Sequence, residues 1–171
     1  QAPHQVDTVR LLAGGRAVRS VLATTATWSE RTPVTGYFRA ELEFEDDVTA
    51  VLTYDGHGYL SSTDMVRTAG GPSLVLADAG LVVAAGSRGA VRAAGDHLQL
   101  VTDDGARDVP IRPGDATTGA VAELLAARRP GAAPPRHSGE WGRATLEVVA
   151  AIGKSARTRT RVPLVEKGLV T

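Results

Sequence analysis

Residues 36–54 read GYFRAELEFEDDVTAVLTY. Phe38, Ala40, Leu42 and Phe44 alternate with Tyr37, Arg39, Glu41 and Glu43. A period of two with one apolar face marks a half-buried strand. Glu45-Asp46-Asp47 interrupts the pattern as a turn, and Val48, Ala50, Leu52 and Tyr54 then resume it. Two such runs about a short acidic turn predict a β-hairpin.

Working outward, Val18 to Trp28 is rich in Val and Thr and reads as a strand before the hairpin. Upstream of it, residues 3–13 form a helical pattern. Pro3 suits the first turn, Val6, Val9, Leu12 and Ala13 make an apolar stripe, and Gly14-Gly15 ends it. Downstream, Asp55-Gly56-His57-Gly58 breaks the alternation. Short strands follow between turn signals: Ser73 to Leu76, Leu81 to Ala85, Ala90 to Ala93, His97 to Val101 and Arg107 to Ile111. Thr117 to Arg128 reads as a second helix with Val121, Leu124 and Leu125 on one stripe. Arg129 to Ser138 is a Pro- and Ala-rich loop. Glu140 to Ala156 reads as a third helix whose buried side is Leu146, Val149, Ala150 and Ile152-Gly153, and Arg159 to Val165 as a last strand.

Strands and helices are thus segregated along the chain. This order predicts an α+β fold: an open, mostly antiparallel sheet with helices packed on one face. A free face on such a sheet predicts a homo-oligomer. The 171 residues suffice for a sizeable core. With 19 basic and 19 acidic side chains the net charge is zero, which argues against a nucleic-acid partner. The basic residues are arginine except for Lys154 and Lys167. No apolar run approaches the roughly 20 residues that span a bilayer, so no membrane partner is expected. The absence of cysteine excludes disulfides, thiolate metal sites and a cysteine nucleophile. The chain opens on Gln1-Ala2-Pro3-His4 without an initiator methionine or signal-peptide pattern, and is expected to be a piece of a longer protein.

Few motifs carry chemistry. Gly56-His57-Gly58 lacks the following helix that a dinucleotide fingerprint needs. Gly153-Lys154-Ser155 lacks the upstream glycine of a phosphate loop and lies late in a helix. His4, His57, His97 and His137 match no metal-ligand spacing, and no metal is expected. Trp28, Tyr37 and Tyr54 either line a pocket or fill a sheet face. Arg157, Arg159 and Arg161 read as one solvated face. His4 and Asp7 stand three residues apart, on neighbouring positions of one helix face. An imidazole there suits a general base near neutral pH. From periodicity alone the favoured reading is that Asp7 complements the helix dipole and His4 is a solvated terminal residue.

His4-Gln5-Val6-Asp7, Arg10-Leu11-Leu12, Ala13-Gly14-Gly15 and Val18-Arg19-Ser20-Val21 together resemble the start of the C-terminal domain of the Gfo/Idh/MocA oxidoreductases. Thr35 to Phe44 and Glu45-Asp46-Asp47-Val48-Thr49-Ala50 resemble that family's hairpin, with Asp47 in place of the usual glycine. Trp141-Gly142-Arg143-Ala144-Thr145-Leu146-Glu147-Val148 resembles its last long helix, with Val162-Pro163-Leu164 as the closing strand. Within the family, the phthalate-type dihydrodiol dehydrogenases are the most similar subgroup.

The resemblance implies that residues 1–171 are a C-terminal substrate-binding and oligomerisation domain. Its N-terminal Rossmann partner would bind NAD or NADP and carry the Glu-Lys-Pro motif. Glu166-Lys167-Gly168 is not that motif. His4 matches a histidine that transfers the proton of a substrate hydroxyl, and Asp7 a position that binds substrate or orients that histidine. No cofactor-binding residue is assigned here, and the chain alone is expected to be inactive. The expected setting is cytoplasmic, and the expected substrate a small molecule with a hydroxyl or carbonyl group: a sugar, a polyol or a cyclic dihydrodiol. The alternative is a stand-alone α+β ligand-binding or dimerisation module without catalysis.

Overall fold

The computed structural model describes residues 2–26, 37–55, 82–94, 97–110 and 116–164. Trp28, His57 and the expected strand Ser73 to Leu76 lie outside them. The described residues form helices α1 (Ala2–Leu12), α2 (Ala116–Ala127) and α3 (Gly139–Thr158). Their strands are β1 (Val18–Ala26), β2 (Tyr37–Phe44), β3 (Thr49–Asp55), β4 (Val82–Gly86), β5 (Gly89–Ala94), β6 (His97–Thr102), β7 (Gly105–Asp108) and β8 (Val162–Pro163). The fold is α+β, as the segregated pattern predicts, with the strands in two four-stranded antiparallel sheets. One is ordered β3-β2-β1-β8 and the other β4-β5-β6-β7.

The chain divides into two units. The first comprises residues 1–22, 42–49 and 112–171. Here α1 ends as expected at Gly14-Gly15, both at positive φ. The Gly15 amide donates to the Arg10 carbonyl and the Gly14 amide to the Leu11 carbonyl, the paired bonds of a Schellman cap. Val6, Val18, Val21, Leu42, Phe44, Val148, Ile152 and Val162 are buried together with Ala13 and Ala151. β8 pairs antiparallel with β1, Val21 opposite Val162.

Two helical faces differ from the sequence reading. On α1 the buried positions are Val6 and Arg10, followed by Ala13 past its end, while Leu12 is 52% exposed. On α3 they are Thr145, Val148, Ala151, Ile152 and Ser155, while Leu146 is 61% exposed. The cause is polar. Arg10 donates to the Thr145 hydroxyl, and this bond between α1 and α3 sets which face of each helix turns inward. A count of apolar residues alone places the stripe one position off.

The last strand is also shorter than expected. α3 runs on to Thr158 and ends on Arg159, which adopts a left-handed conformation (φ 56°) and donates its amide to the Ser155 carbonyl. Ser155 in turn donates its hydroxyl to the Thr160 carbonyl at 2.6 Å. The extended backbone therefore begins only near Val162.

The turn between β2 and β3 has both central residues, Asp46 and Asp47, at positive φ (56° and 57°). The Val48 amide donates to the Glu45 carbonyl across it at 3.3 Å. This is a type I′ hairpin turn, whose twist matches that of the strands it joins.

The second unit comprises residues 23–41 and 50–111. Phe38, Ala40 and Leu52 are buried in it, and Tyr54 stacks on Phe38 with ring centroids 5.7 Å apart. Tyr54 thus fills the sheet face. In the β4–β7 meander, Val91 faces Ala84 and Leu100, and Ala93 faces Val82 and Leu98. These apolar rows share one face of the sheet. Gly89 is required there, since a Cβ on it would lie 2.2 Å from the Val101 carbonyl oxygen. The strand expected to end at Ile111 is β7, which starts earlier and ends at Asp108.

Candidate active site

His4 lies in the first turn of α1 with its side chain exposed. Its carbonyl accepts the Thr8 hydroxyl at 2.9 Å. Among the described residues no hydrogen bond or ion pair engages its ring. Asp7, one turn on, points to α3 instead. The two residues stand three positions apart on α1, but among the described residues only Asp7 has side-chain partners.

Asp7 is the centre of a cluster. One carboxylate oxygen, Oδ1, accepts the indole N–H of Trp141. The same oxygen accepts the Thr145 hydroxyl at 3.2 Å. Arg10, one turn further along α1, is only 6% exposed. Its Nη1 donates to the Trp141 carbonyl at 2.8 Å and to the Thr145 hydroxyl. Thr145 is therefore an acceptor from Arg10 and a donor to Asp7. The guanidinium carbon lies 4.0 Å from the Trp141 ring centroid, a cation–π contact. Burial lowers the Arg10 pKa and the Asp7 charge opposes that shift. A guanidinium this basic remains protonated throughout.

Local sequence explains why Trp141 is available. Ser138 caps α3, its hydroxyl accepting the Trp141 amide at 3.2 Å. This starts the helix three residues before the indole and aims it at α1. The ring packs against Gly15, its Cζ3 3.6 Å from where a Cβ would stand, an ordinary contact; the positive φ, not the ring, calls for glycine there.

His137, just before that cap, joins the cluster from the α2–α3 connection. Its Nδ1 lies 2.9 Å from Glu123 Oε2, and its backbone amide donates to Glu123 Oε1 at 3.1 Å. Its Nε2 lies 3.9 Å from Asp7 Oδ2. The imidazole meets the Trp141 ring edge-on, centroids 6.2 Å apart at 84°. Hydrogen bonds from the His137 ring and backbone hold the Glu123 carboxyl below its usual range.

The arrangement offers an exposed imidazole on α1, unengaged among the described residues, and one turn on a carboxylate held by α3 and faced by a second imidazole. That is an acid–base group with an anchoring network, suited to moving a proton at a bound hydroxyl. Arg10, Glu123, His137, Trp141 and Thr145 were not singled out as site residues by sequence reading. The available signal was the polar interruption of each stripe: Arg10 between Val6 and Ala13, and Thr145 before Val148.

Glu45-Asp46-Asp47 are turn residues, as the pattern predicts, and Asp46 pairs with Arg16 at 3.1 Å. Arg157, Arg159 and Arg161 are all exposed, as expected, but do not share one strand face: Arg157 lies in α3, Arg159 terminates it, and Arg161 pairs with Glu43 at 3.1 Å. Among the described residues no three potential metal ligands cluster, and no helix is long and apolar enough to cross a membrane.

No family model matches the chain. A curated relative, the 1-carboxy-3-chloro-3,4-dihydroxycyclohexa-1,5-diene dehydrogenase of Comamonas testosteroni, is 35% identical over 66 residues, which is 39% of this chain and 16% of the relative. A Bordetella bronchiseptica protein assigned as a dehydrogenase superposes with a TM-score of 0.78 at 22% identity, over 96% of this chain and 54% of its own. The WlbA dehydrogenase of Bordetella pertussis, solved with NADH and UDP-GlcNAcA, superposes with a TM-score of 0.63 at 24% identity, over 96% of this chain and 44% of its own. This chain thus shares its fold, over nearly all of its length, with oxidoreductases of the Gfo/Idh/MocA type. It spans about half the length of the solved structures it matches.

Proposed function

We propose that this chain is the C-terminal substrate-binding and oligomerisation domain of an NAD- or NADP-dependent oxidoreductase. Its substrate would be a sugar, polyol or cyclic dihydrodiol. The observation that carries this is the match of this chain's fold to oxidoreductases over 96% of its length; in this chain α1 opens with an exposed histidine. The relatives support the substrate class: one is a dehydrogenase of a dihydroxylated cyclohexadiene, and another was solved with a nucleotide sugar.

In this reading His4 takes the proton of the substrate hydroxyl as the adjacent C–H bond gives up hydride, or returns it in the reverse direction. General acid–base catalysis of this kind is worth roughly 10²–10⁴ in rate. Asp7 binds substrate through Oδ2, while Trp141 and Thr145 fix Oδ1 and with it the helix that carries His4. The cofactor assignment rests on relatives such as WlbA, solved with NADH. A nicotinamide, when bound, supplies the hydride acceptor or donor.

The setting proposed is the cytoplasm. Self-association would use the apolar face of the β4–β7 sheet, where Val82, Val91, Leu98 and Leu100 lie. The stand-alone module is not favoured, since the matched structures are enzymes. The test is the gene upstream of Gln1. A Rossmann region with Gly-x-Gly-x-x-Gly and Glu-Lys-Pro is expected, and a natural start near Gln1 would contradict the proposal.

A further inference from the structure

Two carboxylates from different helices face the His137 ring, one at each nitrogen. Glu123 of α2 takes both the ring Nδ1, at 2.9 Å, and the backbone amide of the same residue, at 3.1 Å. This two-point hold fixes the ring plane. The Trp141 ring, from α3, bounds it edge-on. Under those constraints Nε2 is aimed at Asp7 Oδ2, 3.9 Å away. That is the oxygen left over after Trp141 and Thr145 have taken Oδ1.

We propose that His137 is a positioning residue of this site. Held by Glu123, it steadies the Asp7 carboxylate and so the first turns of α1, where His4 stands. It touches no reacting atom; its effect passes through Asp7. The link to Asp7 stands on the geometry alone, while the link to His4 turnover rests on the oxidoreductase reading above.

The two ring nitrogens allow the two arms to be separated. In His137→Asn the side-chain amide stands near the former Nδ1, so it keeps the Glu123 arm and loses the reach to Asp7. In His137→Gln the amide reaches the former Nε2 position and keeps the Asp7 arm. The measurement is NMR of this chain, with the Trp141 indole N–H assigned by comparison with Trp28→Phe, together with amide exchange along α1. His137→Asn is expected to shift the Trp141 indole resonance and to lower α1 protection about fivefold, the scale of one net polar contact. His137→Gln is expected to restore both. A wild-type-like His137→Asn, or a His137→Gln no better than it, would overturn the proposal.

These readings need no turnover. In the enzyme that contains the N-terminal half, His137→Asn is further expected to lower kcat at unchanged cofactor KM, with recovery in His137→Gln. Absence of nicotinamide-dependent turnover in the wild type would contradict the oxidoreductase reading, and the NMR results would still decide the Asp7 link.

Discussion

Trp141 donates its indole N–H to the carboxylate of Asp7, joining α3 to α1 across 134 positions of sequence. The bond lies beside the buried Arg10, which holds the Trp141 carbonyl and stacks on its ring. Trp141→Phe keeps an aromatic ring for Arg10 but removes the donor together with part of the ring system. The Asp7 oxygen then loses its indole partner in a site it shares with Thr145. The expected cost is about 1–2 kcal/mol, below the full value of a charge-assisted bond because Asp7 is partly solvated. Urea denaturation should show a lower midpoint with an unchanged slope. An unchanged midpoint would mean that the indole bond contributes nothing to stability.

The Glu123 carboxyl is depressed from its ordinary value of 4.5, first by the His137 ring and then by the His137 backbone amide. A carboxylate with a depressed pKa contributes stability above its unfolded value and loses it as pH falls through its folded value. Glu123→Gln should therefore be less stable than wild type near neutral pH, with the gap closing as the solution is acidified below the glutamate range. Urea midpoints of both proteins across that range check the sign. Glu140, also depressed, is common to both and cancels in the comparison. A gap that widens in acid would contradict the assignment.

Asp47 holds a left-handed backbone conformation in the type I′ turn, at φ 57°. Asp-Gly is among the dipeptides that such turns favour, because glycine adopts positive φ without steric cost. Asp47→Gly should stabilise the chain by about 0.5–1 kcal/mol, the usual difference where glycine relieves a left-handed residue. Asp46 keeps its pair with Arg16 in this variant. Thermal unfolding would show a raised midpoint; a lowered one would mean that the unfolded-state entropy of glycine outweighs the relief.

The hairpin was legible because its alternation coincides with its burial: Phe38, Ala40, Leu42 and Phe44 are the residues that face inward. The three helices were legible by their apolar spacing, with Gly14-Gly15 marking the end of α1, but spacing did not give burial: Val121, Leu124 and Leu125 of α2 are exposed. The inward faces of α1 and α3 were less legible. Arg10 and Thr145 are buried because they satisfy each other, and a hydrophobic count assigns such residues to solvent. Leu146, which that count places inside, is outside. The cluster about Asp7 has no local signature. His137 meets Glu123 across 14 positions and Trp141 meets Asp7 across 134, and neither spacing is a helical or strand period. Of the two residues singled out by sequence, Asp7 has partners that only the fold reveals. His4 is placed by its exposure on α1.

In the proposed oxidoreductase His4 moves the substrate proton. Steady-state nicotinamide turnover by the full-length protein, wild type against His4→Ala, is the sharpest test. A kcat lower by roughly 10²–10⁴ with the cofactor KM unchanged is expected, the loss that follows removal of a general acid–base group. An unchanged kcat would remove His4 from the mechanism.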